Sequence, residues 1–263
     1  MLNNQIFDSS ILVVAHPDDE VLWFSSVIDK VDEILVCYLY FDSKPQLTKG
    51  RKLALIEYPI KRISSLKMHT AEIFYDVDWQ NPILTRYGLK LTNWNNSSRR
   101  YKNNYQKLLT LLREKLIHYK NVFSHNPWGE YGHPEHVQVH NVVNELKEEV
   151  NFRMWYPNYL SNKSLKLMTQ YLPCFDTETV TLETNNILAE RIKNLYQKHQ
   201  CWTWYDEWQW PIEESLIQDK SVQNGTKEYG KTLPLNLIGV EDPPQKRKRG
   251  SVLGKLLRKV HKK

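Results

Sequence analysis

Residues 11–15 read ILVVA, an unbroken apolar run of strand length, and the next five are HPDDE. A strand that is apolar at every position is buried on both faces, which places it inside a mostly parallel sheet. The surrounding pattern agrees. Glu20–Lys30 reads as helix, Glu33–Tyr40 as strand, 47–58 as helix and Ala71–Tyr75 as a third strand. Arg100–Lys120 reads as helix, Asn121–Ser124 as a short strand, His133–Glu149 as helix and Phe152–Tyr156 as strand. Strand and helix in alternation predict an α/β, Rossmann-like fold with a mostly parallel sheet and helices on both faces. Beyond Pro157 the pattern loosens into strands near 165–172 and 175–182, a helix near 185–200, and the aromatic stretch CWTWYDEWQW.

Ligands of such sheets bind beyond the carboxyl ends of the strands. Two loops rich in titratable groups fall there: AHPDDE at Ala15–Glu20, and SHNPWGEYGHPEH at Ser124–His136. Asp18, Asp19 and Glu20 side by side repel one another and are costly to desolvate, so a positive charge is expected between the loops. Zinc suits imidazole and carboxylate donors and, when catalytic, keeps a position for water. His16 and Asp19 stand three apart at a strand-to-helix turn, where both face one point. The second loop offers His133, His136 and His140, and spacing does not choose among them.

AHPDDE and YGHPEH, at the ends of two strands more than a hundred residues apart, resemble the motifs of the LmbE-like, or PIG-L, family of zinc-dependent de-N-acetylases. The resemblance covers roughly 10–156 and implies an LmbE-like fold. It makes His16, Asp19 and His136 the metal ligands, Asp18 the general base, and His133 the group that stabilises the oxyanion or protonates the leaving amine. Tyr131 matches a tyrosine that points at the substrate carbonyl in some relatives. The implied reaction removes acetyl from an N-acetylglucosamine-type amino sugar in a glycoconjugate or glycolipid, with a zinc-activated water as nucleophile and iron(II) as an alternative metal. The alternatives are hydrolysis of another acyl amide or ester, or a non-catalytic sugar- or membrane-binding module. Two departures stand out. The helix after AHPDDE starts with bulky Val21-Leu22-Trp23-Phe24, and HPEH replaces the more common HPDH, with Glu135 outside the ligand positions.

Other candidates carry plainer readings. His140 reads as a helix-face residue behind the ligands, His125 as a loop residue near the site and Asp42 as a turn residue. Trp202, Trp204, Trp208 and Trp210 read as core or interface rather than a sugar platform. Residues 1–240 are expected to form one domain, with specificity shaped by 157–240, followed by a basic linker and tail over 241–263. The chain of 263 residues has a net charge of +6, but nine Lys or Arg lie between Lys246 and Lys263. The preceding 245 residues hold 27 basic and 30 acidic side chains, a balance of −3, which argues against a nucleic-acid-binding face. Within the tail Val252, Leu253, Leu256, Leu257 and Val260 share one helical face amid lysines, a pattern suited to an anionic membrane surface. No apolar run approaches the ~20 residues of a spanning helix, and the first residues lack a signal-peptide pattern, so a cytoplasmic location, peripheral to a membrane, is expected. The expected partner is an N-acetylated sugar, free, nucleotide-linked or lipid-linked.

Overall fold

The computed structural model describes residues 5–171, 179–219 and 233–241. Its centre is a seven-stranded sheet, built from β1 (Ser10–Val14), β2 (Glu33–Tyr40), β3 (Ile63–His69), β6 (Asn121–Ser124), β7 (Arg153–Pro157), β9 (Thr179–Glu183) and β10 (Glu213–Asp219). Their order across the sheet is β3-β2-β1-β6-β7-β10-β9. The first five run parallel, and β10 and β9 close the edge antiparallel. Two two-stranded ladders flank it, β4 (Leu84–Thr85) with β5 (Gly88–Leu89), and β8 (Tyr159–Ser161) with β11 (Asn236–Ile238). The α/β, mostly parallel architecture expected from the alternation is the one observed.

Alternation along β1 sorts the core. Leu12 and Val14 pack with α1 (Asp19–Trp23), α2 (Pro45–Ile56) and α6 (Asn186–Lys198) on one face. Ile11, Val13 and Ala15 pack with α3 (Asn96–Leu116) and α4 (Pro134–Val150) on the other. The remaining short helix, α5, spans Leu165–Tyr171. From β1 the chain winds outward to β2 and β3, then returns to β6 on the opposite side. The crevice between β1 and β6 is therefore the topological switch point, and both motif loops leave the sheet there.

Three expectations are corrected. The first helix stops at Trp23 instead of running to Lys30. Buried Glu214 of β10 is the cause: its carboxylate accepts from Ser25 N and Oγ at 3.3 and 2.7 Å and from Ser26 N and Oγ at 2.9 and 2.6 Å. These bonds hold the chain in turns. The third strand is Ile63–His69, a polar edge strand, and 71–75 is a loop. Ala71 and Ile73 are buried because the loop folds over the motif region, where Ala71 N donates to Glu135 Oε1 at 2.6 Å, while Tyr75 stays exposed. Residues 165–171 are helix, not strand, since the Ser161–Ser164 turn bends the chain and Ser164 Oγ anchors it to Glu130 O at 2.5 Å. The strand expected at 175–182 begins at Thr179, and 172–178 lie outside the described residues, as does the tail from 242. Among the described residues no helix is long and apolar enough to cross a membrane.

Glu214 also accepts from Tyr159 Oη at 2.8 Å, so five donors converge on one buried carboxylate. Leaving such donors unsatisfied costs about 1–3 kcal/mol each. Glu214→Ala is expected to destabilise the fold by more than about 3 kcal/mol in urea unfolding; a change under about 1 kcal/mol would contradict this reading of the turn.

Candidate active site

AHPDDE leaves β1 through an unusual backbone. Asp18, the residue before α1, sits at φ 99°, a left-handed conformation that costs a non-glycine residue about 1–2 kcal/mol. The second loop bends as tightly. Gly129 and Gly132 have φ 68° and 90°, and a Cβ on Gly129 would stand 2.6 Å from His133 O. These turns deliver His133 as the cap of α4, with Pro134 in the first turn.

Hydrogen bonds fix which nitrogen of each histidine carries a proton. His136 Nδ1 donates to Glu130 Oε2 at 2.7 Å, which leaves Nε2 with its lone pair. That atom is buried without a hydrogen-bond partner, 3.1 Å from Asp19 Oδ2. His16 Nε2 donates to Glu135 Oε2 at 2.8 Å, and its Nδ1 faces the same Asp19 Oδ2 at 3.2 Å. Asp19 is held by His16 N at 2.7 Å and by Trp23 Nε1 at 3.3 Å. In the neutral rings, two imidazole lone pairs thus confront one carboxylate oxygen in a buried space, an arrangement that calls for a proton or a metal ion between them.

Two overlapping groups of donors lie within 4.8 Å of one another, His16–His133–His136 and Asp19–His125–His136. Hydrogen bonding removes one histidine from each. His133 Nδ1 accepts from Glu135 N at 3.2 Å, so the neutral ring presents Nε2–H. His125 Nε2 accepts from Ala15 N at 2.8 Å, while its Nδ1 faces Glu130 at 3.1 Å. The lone pairs left over belong to His16 Nδ1, Asp19 Oδ2 and His136 Nε2. Such a set of two imidazoles and a carboxylate fits zinc, and the orphaned His136 Nε2 is the atom that a cation would satisfy.

Electrostatics express the same demand. Burial works against a charged His136, but Asp19 and Glu130 overcome it and push its pKa up to about 10, so without a metal a second proton on Nε2 supplies the positive charge that Asp19 demands. Burial likewise opposes ionisation of Asp19, yet His136 and His16 hold it well below the usual carboxylate range. Glu130 falls to about 2, because His125 and His136 outweigh its burial. Burial and the neighbouring His136 and His16 push His133 the other way, well below the usual imidazole range, so that ring is neutral. Burial raises Asp18 to about 6 against the pull of Arg51, and raises Glu20 to about 7. Glu20 occupies the first turn of α1, as expected, and is held by Tyr58, Tyr196 and Asp18 N.

The site opens into a cavity of about 550 Å³, walled by His16, Asp18, Asp19, Tyr131 and His133, with Arg51, Phe74, Lys163 and Trp204 among the outer residues. Tyr131 stacks on Trp23, with ring centroids 5.4 Å apart, and packs edge-on against Trp204 at 4.6 Å. The bulky start of α1 is thereby absorbed: Trp23 packs among Tyr131, Tyr159, Trp204 and Trp208, and Leu22 lines the cavity. Trp210 is core, with Nε1 on Val21 O at 2.6 Å, while Trp204 reaches the wall. His140 lies behind the site and donates to His125 O at 2.8 Å. Asp42 pairs with His69 and Arg100 and does not line the cavity.

Four contributors escape the sequence reading. Glu130 and Glu135 orient His136 and His16, and their closeness to the motif histidines was the available signal. Arg51 and Thr203, both against Asp18, gave none, because the Thr203 contact spans 185 residues.

No family model matches the chain. It is similar to uncharacterized protein L374 of Acanthamoeba polyphaga mimivirus, at 24% identity over 188 residues, covering 70% of this chain and 77% of that protein. Among solved structures it is similar to the deacetylase in complex with teicoplanin, at TM-score 0.46 and 11% identity, covering 80% of this chain and 97% of that one. It is also similar to the zinc-inhibited form of teicoplanin deacetylase Orf2, at TM-score 0.45 and 13% identity over 73% and 84% of the two chains. The A40926 pseudoaglycone deacetylase Dbv21 follows at TM-score 0.40 and 10% identity, over 74% and 82%. These structures are deacetylases.

Carboxylates behind metal histidines typically tune affinity by 10–100-fold, so Glu130→Gln is expected to weaken zinc binding by about that factor in chelator competition. Unchanged affinity would show that the Glu130–His136 bond does not orient a ligand.

Proposed function

We propose that the chain is a metal-dependent de-N-acetylase of the LmbE-like kind, acting on an N-acetylglucosamine-type sugar in a glycoconjugate. The observation that carries the reading is the convergence of His16 Nδ1 and His136 Nε2 on Asp19 Oδ2, beside a cavity that also exposes Asp18 and His133. His16, Asp19 and His136 hold the metal, zinc or iron(II). Bound there, it supplies Lewis acidity toward the amide carbonyl and lowers the pKa of water.

The side chains supply the proton transfers. Asp18, with its pKa raised to about 6 by burial, takes a proton from the attacking water. His133 Nε2–H donates toward the carbonyl oxygen as charge builds on it, and its fixed tautomer means no reorganisation is needed. Tyr131 Oη has no hydrogen-bond partner among the described residues and acts as a second donor from the cavity wall. The proton held by Asp18 passes to the departing amine, leaving acetate and the free amino sugar. The aromatic wall of Phe74, Tyr131 and Trp204 receives the sugar.

Acetate release from N-acetylglucosamine compounds, free, nucleotide-linked and lipid-linked, tests this with zinc- or iron-loaded protein. Wild type is expected to deacetylate at least one, and Asp18→Ala to lower kcat by about 10²–10⁴-fold. Absence of acetate from every compound, with stoichiometric metal bound, would overturn the reading.

A further inference from the structure

Asp18 belongs to the AHPDDE motif, but the group that holds it lies far along the chain. Thr203 donates twice to Asp18 Oδ2, from Oγ1 at 2.5 Å and from its backbone N at 3.1 Å. Among the described residues these are the only hydrogen bonds to that carboxylate. Arg51 reaches the other oxygen loosely, with Nη2 3.7 Å from Oδ1, and its own Nε and Nη1 are buried without partners.

Both flanks of Thr203 are anchored. Cys201 is buried, and the close approach of α2 requires Gly50, where a Cβ would stand 2.2 Å from His199 O and 2.9 Å from Cys201 Cβ. On the other side Trp204 packs edge-on against Trp23, with ring centroids 5.1 Å apart. The threonine is therefore presented to Asp18 by fixed neighbours. Trp204 and Tyr205, the next two residues, line the cavity.

We infer that Thr203 is a positioning residue for the base: its two donors occupy Asp18 Oδ2 and leave Oδ1 as the oxygen that accepts a proton. Arginine favours a bidentate pair with a carboxylate, and the unpartnered nitrogens of Arg51 stand ready to form one. Thr203 competes for the carboxylate and keeps that pair from closing. The segment that helps to wall the cavity thus also sets the orientation of the base. This inference rests on the proposed role of Asp18.

Thr203→Val keeps the shape and the backbone donor but removes the hydroxyl, whereas Thr203→Ser keeps both donors. On whichever N-acetylglucosamine compound wild type turns over, T203V is expected to lower kcat by about 10–100-fold with KM little changed, and T203S to restore it. Crystal structures of both metal-loaded variants are expected to show Asp18 rotated onto Arg51 in T203V and in place in T203S. Wild-type kcat in T203V, or equal loss in both variants, would overturn the inference. If wild type released no acetate from any compound, the deacetylase reading would fall, and the crystal structures would still decide: an unmoved Asp18 in T203V overturns the positioning role, and a rotated one supports it.

Discussion

Everything in this site depends on a confrontation that cannot persist without positive charge. Asp19 Oδ2 faces His136 Nε2 at 3.1 Å and His16 Nδ1 at 3.2 Å, all three out of water. Removing a carboxylate from water costs several kcal/mol, and opposing lone pairs add repulsion. Glu130 and Glu135 sharpen the demand, because each claims the far nitrogen of one histidine and so turns the other nitrogen inward. Proton or metal, a cation has to sit there. The donor set of two imidazoles and one carboxylate favours the metal.

The fold makes that arrangement by bringing two loops to one crevice. β1 and β6 are parallel neighbours although more than a hundred residues separate them, and the order in which strands are added reverses between them. Distant segments then complete the site. The loop at 71–75 holds Glu135 through Ala71, the turn at Ser164 ties down Glu130, and Thr203 reaches Asp18 from beyond α6. The titratable cluster and the wall of the cavity therefore share the same supports.

Much of this was legible in the sequence because it is local. ILVVA has to be a buried strand, and of the three acids after it Asp18 and Asp19 do face basic groups, whereas Glu20 is satisfied by Tyr58, Tyr196 and Asp18 N. Pro134 after His133 suits the first turn of a helix, where the missing N–H costs nothing. What stayed hidden depends on contacts across the chain. The first helix ends at Trp23 because Glu214, far away in sequence, captures two serines. Residues 71–75 look like a strand because most of them are apolar, but Ala71 and Ile73 are buried beside the site and not in the sheet, and Phe74 and Tyr75 line the cavity. Trp210 is core as the aromatic stretch suggests, but Trp204 lines the cavity, and nothing in CWTWYDEWQW shows that its threonine would touch Asp18. Glu130 stands just before YGHPEH, and only the fold shows that its carboxylate holds the far nitrogens of His136 and His125.

The most direct test of the account is anomalous X-ray diffraction from crystals of the zinc- or iron-loaded protein, recorded at the metal edge. The account predicts one strong peak in the crevice between β1 and β6, bonded to His16 Nδ1, Asp19 Oδ2 and His136 Nε2, with His125 and His133 outside the coordination sphere. A metal bound through His125 or His133, or no peak there under metal-saturating conditions, would contradict it.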